Sequence, residues 1–207
     1  MRKAAARNPP GLESCHTKPG ATIKWRYEPK PVRASQGVAC CDVVNRGAAY
    51  AAGKDYHVLL RPKLGRVGAA LNAACGAAWR HRACVDSAPL SERTLARLAG
   101  LGWIGRNALL ISPRTGSYRL LGFLLTEAPL PPAHGGHGED RCGACTRCET
   151  ACPTGALRDR RCLTERCISY LTIEHRGVIP RHLGERFAGW WFGCDLCQEV
   201  CPWNRFA

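Results

Sequence analysis

Residues 1 to about 45 show no sustained apolar period and are punctuated by Pro9, Pro10, Pro19, Pro29 and Pro31. They predict an irregular segment with at most one short strand, near Thr22 to Tyr27. From Ala48 to Ala78 the chain is rich in Ala and Leu, which predicts a helix, broken near Pro62. A short strand is expected over Arg82 to Val85, followed by Asp86. Ser91 is a candidate helix cap, with Glu92 in the first turn. Leu95, Leu98 and Leu101 supply that helix with a core-facing stripe, and Gly100 and Gly102 end it. Ala108 to Ser112 and Ser117 to Glu127 predict two strands around the turn Pro113 to Gly116. Ala128 to Asp140, with three prolines and three glycines, is a linker. The pattern is that of a mixed α and β protein.

Composition changes this picture in two places. The 207 residues are 45% hydrophobic and 22% charged, which is enough for a packed core and excludes wholesale disorder. No apolar run approaches the roughly 20 residues of a membrane span, and no secretory signal is visible, so a soluble, cytoplasmic protein with no membrane partner is expected. The net charge is +14. Residues 1–85 carry 15 Lys and Arg against 4 Asp and Glu; residues 86–207 carry 15 against 12. This asymmetry fits a nucleic-acid surface or a solvated basic region equally well.

The second change is in cysteine. Nine of the fourteen follow the linker. They include Cys142-x2-Cys145-x2-Cys148-x3-Cys152-Pro153 and Cys194-x2-Cys197-x3-Cys201-Pro202, an internal repeat in which the second copy lacks the first step. This is the bacterial ferredoxin run, in which successive x2 steps wrap one [4Fe–4S] cube and the fourth cysteine ligates the other cube. By that crossover, Cys142, Cys145 and Cys148 share a cluster with Cys201. Cys194 and Cys197 share the second with Cys152 and either Cys162 or Cys167. Zinc is the competing ligand reading, but zinc sites use separated pairs and need neither three successive steps nor two Cys-Pro closures. Disulfides do not suit a reducing compartment. Cys15, Cys40, Cys41, Cys75 and Cys84 have no ligand spacing and are read as ordinary thiols.

Two adjacent cubes form a path for single electrons. A bare ferredoxin needs far less chain than this, so a use for those electrons is expected within it. No GxGxxG turn follows a predicted strand, and no Walker loop is present. Asp86 stands out just ahead of a helix start, where a capping role competes with a chemical one.

Val85-Asp86-Ser87-Ala88-Pro89, Leu98-Ala99-Gly100-Leu101-Gly102-Trp103-Ile104-Gly105-Arg106-Asn107, the two cysteine runs, Arg166 through Glu174 and Cys201-Pro202-Trp203-Asn204-Arg205-Phe206-Ala207 resemble the epoxyqueuosine reductases. The likeness runs from about Tyr50 to Ala207 and includes Gly53-Lys54-Asp55-Tyr56-His57. Residues 1 to about 45 do not read like that family's N-terminal half-domain, and its helical-repeat tail does not follow Trp203-Asn204-Arg205. Ser91, after Leu90, is polar where an apolar residue is expected.

The resemblance implies an α+β protein in three parts: the irregular basic segment 1–45, a partial cobalamin- and substrate-binding α/β region over 46–135, and a ferredoxin-like two-cluster module over 136–207. It implies an oxidoreductase using cobalamin and two [4Fe–4S] clusters to reduce epoxyqueuosine to queuosine at the wobble position of tRNA. It makes Cys167 the eighth ligand and Cys162 spare. It makes Asp86 the general acid. It places Ser169, Tyr56 and His57 at the cofactor, with a core Tyr–His pair as the alternative for the last two. His175 and Arg176 become candidates for the anticodon region, against an ordinary exposed pair. Trp190, Trp191, Phe192 and Trp203 are expected to shield the clusters rather than stack on bases. The partners implied are tRNA and an external low-potential electron donor, and a monomer is expected. Competing readings are a ferredoxin-like electron-transfer module, an inactive fragment of such a reductase, and a reductive dehalogenase, whose usual twin-arginine leader is not seen.

Overall fold

The computed structural model describes residues 46–131 and 139–205. The expected strand near Thr22 to Tyr27, Cys15, Cys40, Cys41 and most of the linker lie outside them. Among the described residues the elements are short, α helices alternating with two-stranded ribbons, an α+β arrangement. No described helix is long and apolar enough to cross a membrane.

The first strand, β1 (Arg46–Gly47), lies parallel to the last, β8 (Trp190–Phe192). A 3-10 turn over Ala49–Ala52 leads to α1 (Tyr56–Cys75). Asp55 caps α1 by accepting from the His57 N–H at 2.8 Å, and Gly76, at φ +62°, closes it in the left-handed conformation. The expected break at Pro62 does not occur. The proline sits in the second turn, and the carbonyl it leaves unpaired belongs to Val58, which is exposed and can be hydrated. At Gly68 the helix touches β2 (His81–Cys84) so closely that an added Cβ would lie 2.8 Å from the His81 ring.

Helix α2 (Glu92–Leu98) does begin after Ser91, but the Ser91 hydroxyl makes no cap; the Glu92 carboxylate instead accepts the Asp86 N–H at 2.8 Å. The stripe expected in the core is on the surface: Leu95, Leu98 and Leu101 are 37%, 42% and 55% exposed, while Ala96 is fully buried. A small residue lets α2 approach β3 (Trp103–Ile104) and β4 (Leu110–Ile111) closely, and the leucines fan outward around that contact.

The segments on either side of Pro113 to Gly116 do not pair as two strands. Beyond a single Ser112–Gly116 bridge, β4 pairs back onto β3, and β5 (Phe123–Thr126) pairs antiparallel with β2, His81 opposite Thr126. The reason lies at Ser117, whose N–H and hydroxyl are engaged elsewhere. Asn204 Oδ1 accepts the Ser117 N–H at 2.6 Å, Asn204 Nδ2 donates to the Ser117 hydroxyl at 2.9 Å, and that hydroxyl donates to Gln198 at 2.9 Å.

The cysteine-rich part contains α3 (Arg147–Ala151), the hairpin β6 (Leu157–Arg158) and β7 (Arg161–Cys162), α4 (Ile168–Ile173), α5 (Arg181–Gly184) and α6 (Leu196–Glu199). The hairpin turns through Asp159 and Arg160, both at positive φ, as a two-residue primed turn requires. Ala48, Ile168 and Trp190 form its apolar core with Phe187, Cys194 and Leu196. The Arg46 guanidinium lies 4.4 Å over the Trp190 ring and pairs with Glu199 at 2.6 Å.

Candidate functional site

The nine cysteines of the module are thiols with no disulfide among them. Burial raises Cys201, and charge at Cys142 and Cys145 raises it further. Burial likewise lifts Cys148 to about 11, with Cys142 adding to it. Cys194, also pushed to about 11 by burial, is affected by Cys167 and Cys152. Burial raises Cys197 too, with Cys194 and Cys167 the leading charges and Cys152 and Cys148 behind them. Cys142 and Cys145 thus act on Cys201, and Cys142 on Cys148, while Cys152 and Cys167 act on Cys194 and Cys197; Cys148 also acts on Cys197. Among the described residues no three His, Cys, Asp or Glu side chains converge on a single metal ion. Two sets of four thiolate donors fit two cubes.

Cys162 lies beside Cys167 and gives it a hydrogen bond, which with the backbone N–H groups of Tyr170 and Ser169 lowers Cys167 to about 6. Burial alone would have raised it. Cys162 itself is pushed up by the same contact. Ser169 therefore meets the module through its backbone, on the first turn of α4.

The Trp103 to Asn107 segment holds the first cysteine run in place. Arg106 donates to the Gly143 carbonyl at 3.3 Å and lies 3.5 Å from Glu149 of α3. Trp103, nearly fully buried, meets Trp203 edge to face at 4.9 Å. Trp190 is buried in the core with Ala48 and Ile168, whereas Trp191 is 64% exposed.

Asp86 follows β2 at φ +56°, a conformation Asp tolerates better than most residues. The alternative that it caps α2 is not what the geometry gives, because its side chain points to α1. Tyr56 donates to Asp86 Oδ2 at 2.8 Å, and His57 Nε2 lies 3.9 Å from the same oxygen. Burial and this carboxylate both raise Tyr56, which stays protonated as a donor. His57 stacks on Tyr56 at 4.1 Å, and its Nδ1 meets Asp55 at 2.8 Å. Asp55 is held below its ordinary value, first by the His57 N–H and then by the ring. The first turn of α1 thus brings together the three side chains singled out in the sequence. Asp86 and Tyr56 line an open cleft of about 510 Å³ with Leu90, Glu92, Arg119 and Leu120.

A chain of rings leads from this cleft to the cysteines. Tyr56 meets Tyr50 edge to face at 6.0 Å, and Tyr50 meets Phe192 at 6.3 Å. Phe192 precedes Gly193 and Cys194, and an added Cβ on Gly193 would lie 2.5 Å from that of Ala48. His175 and Arg176 follow α4 and are not among the cleft residues. The neighbouring Glu174 carboxylate does act on Tyr50, which puts the end of α4 on the Tyr50 side. His175 faces Tyr170 at 6.3 Å with Nε2 buried and unpartnered among the described residues; Arg176 is exposed.

Residues 22–87 match the family model described as "Epoxyqueuosine reductase QueG, DUF1730", and residues 141–204 match a "4Fe-4S double cluster binding domain". The epoxyqueuosine reductase of Pseudomonas aeruginosa is 44% identical over 191 residues, covering 90% of this chain and 51% of that protein. The Escherichia coli enzyme is 45% identical over 159 residues, 76% of this chain and 41% of its own. The chain is thus similar to epoxyqueuosine reductases over most of its length. It spans about half the length of the curated epoxyqueuosine reductases it matches. Among solved structures, the epoxyqueuosine reductase from Streptococcus thermophilus superposes with a TM-score of 0.68 at 35% identity, covering 75% of this chain and 41% of that one. A second, bound to a tRNA-Tyr epoxyqueuosine-modified stem loop, gives 0.68 at 39% identity, covering 74% and 40%. The Bacillus subtilis epoxyqueuosine reductase, recorded with its catalytic aspartate loop swung out of the active site, gives 0.67 at 37%, covering 74% and 40%.

The reductase likeness begins earlier than the sequence reading placed it. The family model starts at residue 22, inside the segment set aside as irregular and unlike the family's N-terminal half-domain. Proline punctuation and the lack of a period concealed it. Arg119, Glu92 and Tyr50 were also missed as site residues. They reach the site through β-strand pairing and loop placement, for which a single sequence carries no local signal; only Tyr50, six residues before Tyr56, offered an aromatic hint.

Proposed function

We propose that this chain reduces epoxyqueuosine to queuosine at the wobble position of tRNA, in the cytoplasm and as a monomer, using two [4Fe–4S] clusters, cobalamin and an external low-potential electron donor. The observation that carries the proposal is Asp86: an exposed carboxyl oriented by Tyr56 in an open cleft, linked by Tyr50 and Phe192 to a cluster ligand. The Bacillus subtilis relative is recorded with its catalytic aspartate loop swung out of the active site; we assign the corresponding role to Asp86, whose positive φ suits a loop position.

The overall change is epoxide to alkene, with two electrons and two protons consumed and one water released. Cobalamin, when bound, supplies the nucleophilic and reducing chemistry at the epoxide carbon. Leu90, Leu120 and Leu121, the aliphatic part of a largely polar lining, would lie against the macrocycle beside the acid. Tyr56, His57 and Ser169 are the residues assigned to the cofactor side. Asp86 holds the proton delivered to the departing oxygen. Tyr56 occupies Oδ2, which leaves Oδ1 to carry that proton toward the cleft. His57, 3.9 Å from Oδ2 and paired with Asp55, is placed to restore the proton from solvent. His175 and Arg176 are assigned to the phosphates of the anticodon stem.

The test is to load the protein anaerobically with iron, sulfide and cobalamin and supply an epoxyqueuosine-modified stem loop with a reductant. Loss of one oxygen atom from the nucleoside, read by mass spectrometry, is the expected outcome. Clusters that reduce without oxygen loss would instead leave an electron-transfer module.

A further inference from the structure

The two clusters differ in position. The rings of Tyr56, Tyr50 and Phe192 run from Asp86 to Cys194, so the set Cys152, Cys167, Cys194 and Cys197 is the inner one. Electrons from outside therefore have their natural entry at the outer set, Cys142, Cys145, Cys148 and Cys201.

A cleft of about 610 Å³ opens at that outer set, between α3 and α6. Its lining includes Thr146, Arg147, Thr150, Glu199, Cys201 and Arg205, and it shares no residue with the Asp86 cleft. Cys201 forms part of the wall, so a molecule seated here touches a ligand of the outer cluster. Arg147 is exposed and makes no hydrogen bond or ion pair among the described residues. Arg205 is exposed beside it. The one acidic lining residue, Glu199, is engaged by Arg46 at 2.6 Å. The lining holds two arginines against one glutamate, with Arg147 the exposed cation at its rim and a cluster ligand in its wall.

We propose that this cleft is the docking site for a small acidic one-electron carrier protein that reduces the outer cluster. The inference rests on the cluster assignment and donor requirement in the function proposed above. With both clusters bound, each encounter would oxidise the carrier's reduced centre by one electron, taken up by the outer cube, whose ligand Cys201 lies in the cleft wall. Two encounters supply the two electrons of one turnover. RNA is the other polyanion a positive cleft could hold, but RNA has no use for a cluster ligand in the wall, and the reacting groups lie at the other cleft.

The test uses the protein with both clusters loaded and no tRNA. Reduced flavodoxin and, separately, reduced ferredoxin are mixed with it, and cluster bleaching is followed by stopped flow. Arg147→Glu should lower the second-order rate constant about tenfold or more, the scale of electrostatic steering, and flatten its dependence on salt. Arg147→Gln should fall between. Photoexcited deazaflavin, which needs no docking, should reduce parent and variants at equal rates, which reports intact clusters. Carrier reduction of Arg147→Glu at the parental rate overturns the proposal, as does a parent that neither carrier reduces. Weaker stem-loop binding by Arg147→Glu with unchanged carrier rates would give the cleft to RNA and also overturn it. If the carriers reduce the clusters and the epoxide persists, the docking site stands and the proposed reaction falls.

Discussion

Asp86 and Tyr56 lie thirty residues apart and meet at 2.8 Å, an encounter set by α1 packing on β2. Asp86→Asn keeps the size and the hydrogen bond to Tyr56 but has no proton to give up. Turnover should fall about 10²- to 10⁴-fold, with iron content unchanged; activity within a few-fold of the parent would return Asp86 to a structural role. At the cysteines the spacing alone left Cys162 and Cys167 as alternatives. Their contact explains why, since five thiols crowd a site that needs four. Cys167→Ser should lose one cluster by iron assay, whereas Cys162→Ser should keep both. The reverse result would exchange their roles. The ligands were legible because their chemistry demands fixed spacing. Arg119 was not, because nothing near it in sequence marks its destination.

At the scale of elements, the pattern located β2 and α2 to within a few residues, started α1 eight residues too early, and misjudged what α2 buries. The leucine stripe of α2 fits the helical period, yet a helix this short is held by Ala96 and by its neighbours rather than by its own apolar face. The expected pairing around Pro113 failed for a tertiary reason, the capture of Ser117 by Asn204 from the far end of the chain. That capture is testable. Asn204→Ala leaves the buried Ser117 N–H without its acceptor and should cost about 1–3 kcal/mol, read as a lower denaturant midpoint. Gly116→Ala should be at least as damaging, because its Cβ would lie 2.0 Å from Asn204 Oδ1 at a φ of +67°. Midpoints equal to the parent's in both variants would mean the contact contributes nothing to the fold.

Over the whole molecule, the loaded protein should carry two cubes per chain, with stoichiometric zinc as the result that defeats the assignment. Stem-loop binding should weaken steeply with salt, because neutralised phosphates release counterions. Residues 1–21 lie ahead of the family model and carry four basic residues against one acidic. Their deletion should flatten the logarithmic salt slope without loss of the clusters. An unchanged slope would move the phosphate contacts to the arginines further on. The join between Ser117 and Asn204, 87 residues apart in sequence, also has a bearing on synthesis. The edge of the half that holds Asp86 stays open until Trp203 and Asn204 have left the ribosome, and both follow directly on Cys201, a ligand of the outer cluster in the reading proposed here. Completion of that half and seating of the outer cube would thus fall at the same moment of synthesis. Iron shortage would therefore show itself as a protein that fails quality control, and its first sign would be a drop in abundance rather than in turnover per molecule.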